Sequence, residues 1–259
     1  MRGKQLKAEL KQGGRVFGTA VLSTSPVWIT VVADMGLDFV FIDTEHTPID
    51  RTQLSWMCHA FKLSGIAPVV RIPSPCPYEA SKALDAGADG IVAPYVESVS
   101  EIKALVGAVK YRPLKGKKLE GFLSGQENFS QELNHYLDVT NENHLLLINL
   151  ESTPALNEIT ELLSVPGLDG VLVGPKDLSC SLGIPENYDH PLFVETVEMI
   201  LSEARSRNLG AGVHMFYPSG YAQEMEWSKG KANILLHSSD IGSFKHSIAS
   251  GLNQLRQTF

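Results

Sequence analysis

The 259-residue sequence contains no apolar run of the roughly 18 residues that would mark a membrane-spanning helix. Cysteine is scarce. Cys58, Cys76 and Cys180 are odd in number and form no C-x-x-C pair. That spacing supports neither a disulfide framework nor a structural zinc site, so reduced thiols in a cytoplasmic protein are the expectation. Met1 is followed by Arg-Gly-Lys-Gln and an amphipathic pattern instead of an apolar signal core. An excess of basic charge is also missing. Lys and Arg number 22 against 29 Asp and Glu, a formal net charge of −7, which argues against a nucleic-acid surface and against a polybasic lipid-binding segment. No G-x-G-x-x-G follows the first apolar run, so the dinucleotide-binding form of an open α/β sheet loses support.

What is present is a regular alternation. Short apolar runs recur at Val16–Leu22, Asp38–Ile42, Ala67–Ile72, Gly90–Pro94, Leu145–Leu150, Val171–Val173, Gly210–Met215 and Ala232–Leu236. Runs this short and continuous read as parallel strands buried on both faces. Helical patterns lie between them: Pro26–Met35, a helix capped by Asp50 and Gln53 and running to Leu63, Tyr78–Asp85, a helix opened by the Ser98/Glu101 capping box, Gln131–Asn141, and one capped by Thr153 with Pro154 first. Further helices carry Val194, Val197, Ile200 and Leu201, then Tyr221–Lys229, then Ile241, Phe244, Ile248, Leu252 and Leu255. Tyr111–Glu127, rich in Lys and Gly, reads as a long mobile loop. A short helix with Leu6 and Leu10 precedes the first strand. Eight strand–helix repeats predict a TIM (β/α)8 barrel, one domain over residues 1–259, since such barrels use about 250 residues.

In a barrel the carboxyl ends of the strands converge on one cavity. Here those tips carry Asp43, Glu45 and His46, then Arg71, then Asn149 and Glu151, then Lys176 and Asp177. Glu151 and Asp177 stand on adjacent strands and could share a hard divalent ion through oxygen ligands. For either alone, capping the following helix is the better reading; the pairing on consecutive tips favours metal. His46 could serve as a general base held by Asp43 or Glu45, or be a hydrogen-bonding loop residue. Arg71, inside an otherwise apolar strand, must meet a carboxylate of the protein or of a substrate. Asp85 looks like a surface residue, and His214 and His237 read as core positions before cavity ones. Trp28 and Trp56 read as packing, and Lys115–Lys118 as a solvated loop. The loops Tyr217–Gly220 and Ser238–Gly242 hold too little glycine to claim a phosphate site.

Four ordered motifs carry a resemblance: Phe41-Ile42-Asp43-Thr44-Glu45-His46, Val70-Arg71, Leu150-Glu151 and Gly174-Pro175-Lys176-Asp177-Leu178-Ser179. Together they resemble the HpcH/HpaI aldolases, class II pyruvate aldolases of the 4-hydroxy-2-oxo-heptanedioate and 2-keto-3-deoxy-sugar-acid type, from about Val16 to Phe244. The resemblance implies a TIM barrel whose last helix swaps between protomers, commonly in a hexamer. It implies His46 as base assisted by Asp85, Arg71 as the residue that stabilises the enolate, Glu151 and Asp177 as metal ligands, and Asn149 and Lys176 at the substrate. Asp43 and Glu45 support them. Mg²⁺ or Mn²⁺ is the expected ion, ahead of Co²⁺ or Zn²⁺.

The sequence departs from the family in carrying Asn149 where glutamine is usual and Lys176 where alanine or serine is usual. It also has Gly116-Lys117-Lys118 in place of an arginine-glycine pair. The expected reaction is cleavage of a 4-hydroxy-2-oxo acid to pyruvate, or a close 2-oxo acid, and an aldehyde, with no nucleic acid or membrane involved. The alternatives are a Schiff-base aldolase using Lys176, a CoA-thioester lyase of the same superfamily, or a non-catalytic barrel that binds a 2-oxo acid.

Overall fold

The computed structural model describes residues 1–216 and 220–258. Eight parallel strands close into a barrel in sequential order. They are β1 (Val16–Ala20), β2 (Phe39–Asp43), β3 (Ala67–Arg71), β4 (Gly90–Ala93), β5 (Leu145–Leu150), β6 (Gly170–Val173), β7 (Gly210–Met215) and β8 (Ile234–Ser239). This is the TIM (β/α)8 architecture that the repeats predict. The strands read as unbroken apolar runs because they are covered twice. One face packs inside the barrel, where Phe39, Phe41, Val69, Val92, Leu147, Leu172 and Leu236 meet. The other packs against the helices, where Val40, Ile42, Val70, Ile91 and Ile148 join Ile102, Phe193 and Ile200.

Helix α1 (Gly3–Lys11) plugs the amino-terminal end of the barrel with Leu6 and Leu10. Charged pairs ring that plug. Asp89, 1% exposed, accepts from Lys62 Nζ at 2.8 Å and Arg2 Nε at 2.9 Å. Asp169 is paired with Lys110. Each buried carboxylate there has a cation of its own, as burial of charge demands.

The helices follow in order: α2 (Val27–Ala33), α3 (Arg51–Leu63), α4 (Pro77–Asp85), α5 (Val99–Lys110), α6 (Gly116–Leu123), α7 (Gln131–Asn141), α8 (Thr153–Asn157), α9 (Ile159–Leu163), α10 (Pro175–Ser181), α11 (Pro191–Ser206), α12 (Tyr221–Gly230) and α13 (Asp240–Thr258). Asp50 with Gln53 and Ser98 with Glu101 form the expected capping boxes.

Two expectations are corrected. Tyr111–Glu127 is not one long loop, for α6 forms within it. Phe122 stacks on Phe129 at 4.0 Å and meets Tyr111 edge-on at 4.8 Å, so aromatic packing overrides the Lys and Gly content. The cap of α8 is Ser152, whose side chain accepts from the Ala155 N–H, one residue before Thr153. Helix α10 begins directly at Pro175, because proline at the first helical position loses no hydrogen bond.

Helix α13 is anchored by Asp240, which accepts from the N–H groups of Leu22 at 3.0 Å and Ser23 at 2.9 Å. Its apolar stripe then faces away from the barrel: Phe244 is 64% and Leu255 59% exposed. Phe17, on the outer face of β1, is also half-exposed. No helix among the described residues is long and apolar enough to cross a membrane. Of the loop Tyr217–Gly220, residues 217–219 lie outside the described residues.

Candidate active site

Pairing of β2 with β3 sets Asp43 opposite Arg71 at the carboxyl end of the barrel. Arg71 donates through Nε to Asp43 Oδ1 at 3.0 Å and through Nη2 to Oδ2 at 2.6 Å, a bidentate fork. Its Nη1 lies 3.1 Å from Glu45 Oε2. Burial alone would push the Asp43 carboxyl up, but the hydrogen bonds and charge of Arg71 overcome it and hold that carboxyl below its ordinary value. Glu45 goes the other way: burial raises its pKa, with Asp43 and Asp177 adding to the rise against the pull of Arg71 and His46. One guanidinium therefore serves two carboxylates and stays charged.

The second half of the site is built on Glu151, just beyond β5 and 3% exposed. Its Oε1 accepts from the Tyr95 N–H at 2.8 Å, and its Oε2 from Asn149 Nδ2 at 3.2 Å. Tyr95 takes a φ of +48° to make that contact, a left-handed conformation uncommon for a non-glycine residue. Gly174 leaves room for the carboxylate: a Cβ there would come within 1.9 Å of Glu151 Oε2. Burial lifts the Glu151 pKa to about 7, with the Asp177 and Glu45 charges adding to the rise against the Tyr95 N–H and Arg71. Asp177 follows in the first turn of α10, on the exposed rim.

These features fit a divalent cation. A buried carboxylate, held by a backbone N–H in a cradle only glycine leaves open, faces further carboxylates with a single arginine among them. Hard cations are bound in such sets, with waters or substrate completing the shell. Among the described residues, no group of three or more His, Cys, Asp and Glu forms a complete protein cage. Glu151 and Asp177 would leave coordination positions open.

Other expected site residues are placed apart. His46 is 65% exposed in its side chain, with Nε2 3.6 Å from Glu45 Oε2. The structure does not bring it to Asp85, which is 63% exposed and paired with Arg112. Lys176 is exposed, its Nζ 3.9 Å from Glu186 Oε1, so its side chain leans along the rim. His237 lies outside the core, half-exposed, with Nδ1 2.6 Å from Glu224 Oε2.

Sequence reasoning did not find Tyr95, whose contribution is a backbone N–H, or the role of Gly174. It placed His214 in the core, where it is buried as expected, yet among the inward-facing residues directly beside this polar layer.

A closed parallel barrel with carboxylates, an arginine and an amide at its strand tips is the layout of a (β/α)8 enzyme. The chain belongs to the HpcH/HpaI aldolase/citrate lyase family, whose profile matches residues 17–233. It is accordingly an enzyme of the aldolase and lyase class. It is 30% identical over 226 residues, 85% of this chain and 82% of the other, to 2-keto-3-deoxy-L-rhamnonate aldolase of Salmonella paratyphi B. Its structure superposes on the HpcH/HpaI aldolase of Desulfitobacterium hafniense with a TM-score of 0.82, at 26% identity and covering 97% and 96% of the two chains. The citrate synthase SbnG is similar too, with a TM-score of 0.81, 26% identity and 98% of each chain covered.

Proposed function

We propose that the enzyme is a divalent-metal-dependent aldolase that cleaves a 4-hydroxy-2-oxo acid into pyruvate, or a close 2-oxo acid, and an aldehyde. The observation that carries this reading is the buried, under-neutralised Glu151 carboxylate facing the charge of Asp177 beside Arg71. Glu151 and Asp177 would hold the ion, with Mg²⁺ or Mn²⁺ suited to their oxygens. The ion supplies Lewis-acid polarisation of the 2-oxo group when bound.

The chain's own residues do the rest. Arg71, fixed by its fork to Asp43, presents a positive charge where negative charge develops on the keto oxygen as the carbon–carbon bond breaks. Loss of one such donor costs about 3 kcal/mol of barrier lowering. His46 at the rim takes the proton of the 4-hydroxyl, directly or through a water, with Glu45 Oε2 3.6 Å from its Nε2. Asn149, which donates to Glu151, orients that carboxylate, and Lys176 at the rim meets the distal part of the substrate.

Association with further copies of the chain belongs to the same reading, by resemblance a hexamer. The apolar stripe of α13 and the half-exposed Phe17 support it. Asp85, paired with Arg112 within the chain, would then assist a base only through such an assembly. Metal-loaded and chelator-treated enzyme, assayed for pyruvate release from 4-hydroxy-2-oxo acids, tests the reaction. Full activity after rigorous metal removal would sink the mechanism.

A further inference from the structure

His214 is a buried ionisable side chain that the reaction above leaves unused. It projects inward from β7, its backbone in register with Leu236 of β8. Its ring meets Phe41 edge-on at 5.1 Å and stacks on Phe216 at 5.5 Å. Phe41 also carries the Arg71 guanidinium 5.5 Å from its ring centroid. Arg71 and His214 therefore flank the same aromatic ring at the base of the polar layer.

The residue is 4% exposed, and its Nε2 has no hydrogen-bond partner among the described residues. Burial first, and then the charge of Arg71, lower its pKa to about 3, so the ring is neutral at working pH. A neutral imidazole offers one N–H and one lone pair. An unpaired buried polar atom is destabilising, a cost that an apolar side chain packed between the same rings would avoid. A nitrogen kept at that cost beside Arg71 is suited to a polar atom of the substrate.

In that reading the carboxylate and keto oxygens of a 2-oxo acid would be met by the cation that Glu151 and Asp177 would hold and by Arg71. The remaining position is carbon 3, the carbon that carries the new bond, and in pyruvate it bears no polar atom. We propose that His214 is a specificity-determining residue whose Nε2 hydrogen-bonds a hydroxyl on carbon 3. The preferred 2-oxo acid half is then a 3-hydroxylated one, with hydroxypyruvate its smallest example, in place of pyruvate. This assignment rests on the aldolase reading for the orientation of the 2-oxo acid. A site with a buried group awaiting a hydroxyl rejects the analogue that lacks it, because the group is left unpaired.

Calorimetric titration of the Mn²⁺-loaded full-length enzyme with hydroxypyruvate and with pyruvate tests the assignment without requiring turnover. The expected result is binding of hydroxypyruvate tighter by about tenfold or more. His214→Leu should bring the two affinities together, and His214→Gln, which keeps a polar side chain, should restore part of the preference. Equal affinities in the unaltered enzyme, binding of neither compound, or a preference that His214→Leu leaves in place would overturn the proposal. Exchange of the carbon-3 hydrogens in deuterated water, followed on the same samples, addresses the aldolase reading separately. Selective binding without exchange would overturn that reading and leave the assignment of His214 standing.

Discussion

At the amino-terminal end of the barrel, Asp89 is held by Lys62 and Arg2, and Asp169 by Lys110. At the carboxyl end, Asp43, Glu45 and Glu151 have Arg71 among them, which forks to the first and approaches the second. Two histidines repeat the contrast. His144, at the amino-terminal end, has its Nδ1 3.1 Å from Asn141 Oδ1, whereas Nε2 of His214 meets nothing among the described residues. Both ends belong to the same eight strands, so the difference does not come from the fold type. One end is electrostatically closed and holds the molecule together. The other is short of positive charge and of hydrogen-bond partners, as a surface that completes itself with a ligand must be.

The sharpest way to break this comparison is to remove one carboxylate from each end. Glu151→Gln should lower kcat/KM by about a thousandfold, on the order of 4 kcal/mol. It should leave thermal unfolding of the metal-free enzyme unchanged or slightly higher, because the burial that raises the Glu151 pKa penalises its charged form. A large fall in stability would show that Glu151 is structural after all.

Asp89→Ala should do the reverse. Two cations lose their partner at a position 1% exposed, so chemical denaturation should show a loss of about 3 kcal/mol, with kcat/KM of the folded fraction held within about twofold.

A pH series sharpens the contrast between the two histidines. Folded-state values of about 4 for His144 and about 3 for His214 lie below the ordinary 6.5, with burial the first cause for both. The unfolded chain takes up these protons near pH 6.5 while the folded one does not. The contribution of each is therefore intact above pH 6.5 and is lost as pH falls toward its folded value. His214 should account for about 1.4 kcal/mol per pH unit in that window. His144, partly exposed, should account for less, since solvent screens it. Denaturation midpoints at pH 6.5, 5.5 and 4.5 should show a shallower slope in His214→Leu than in the unaltered enzyme.

The smallest effect is expected at the rim. Lys176→Ala removes an exposed side chain whose nearest carboxylate is 3.9 Å away. Stability should change by no more than about 0.5 kcal/mol, while KM for substrates with an anionic distal group should rise about threefold. Equal KM values for anionic and neutral substrates would take Lys176 out of the site.

Much of the fold was legible because the interactions that make it are local or periodic. Runs such as Leu145–Leu150 announce strands buried on two faces, and Ser98 with Glu101 announces a helix start three residues long. The sign of the site was legible as well, since Arg71 in an apolar strand requires a carboxylate and Asp43 answers it across one register step. Helix α6 was not, because its stability comes from Phe122, Phe129 and Tyr111 meeting across a chain reversal. Tyr95 was hidden because a backbone N–H has no signature in residue type. His214 could have been found by counting inward positions along β7, where alternate residues face the barrel interior.

From the sequence by itself came the eight strand–helix repeats, the deficit of basic charge and the residues at the strand tips. Periodicity and composition are properties of neighbouring residues, and neighbours along the chain suffice to express them. Tertiary structure alone decided which tips are neutralised and which are left wanting. It set Glu151 against the space at Gly174, shared Arg71 between two carboxylates, and buried the unpaired nitrogen of His214 beside them. Those outcomes depend on burial and on distances between strands far apart in sequence, and desolvation acts only once the barrel has closed.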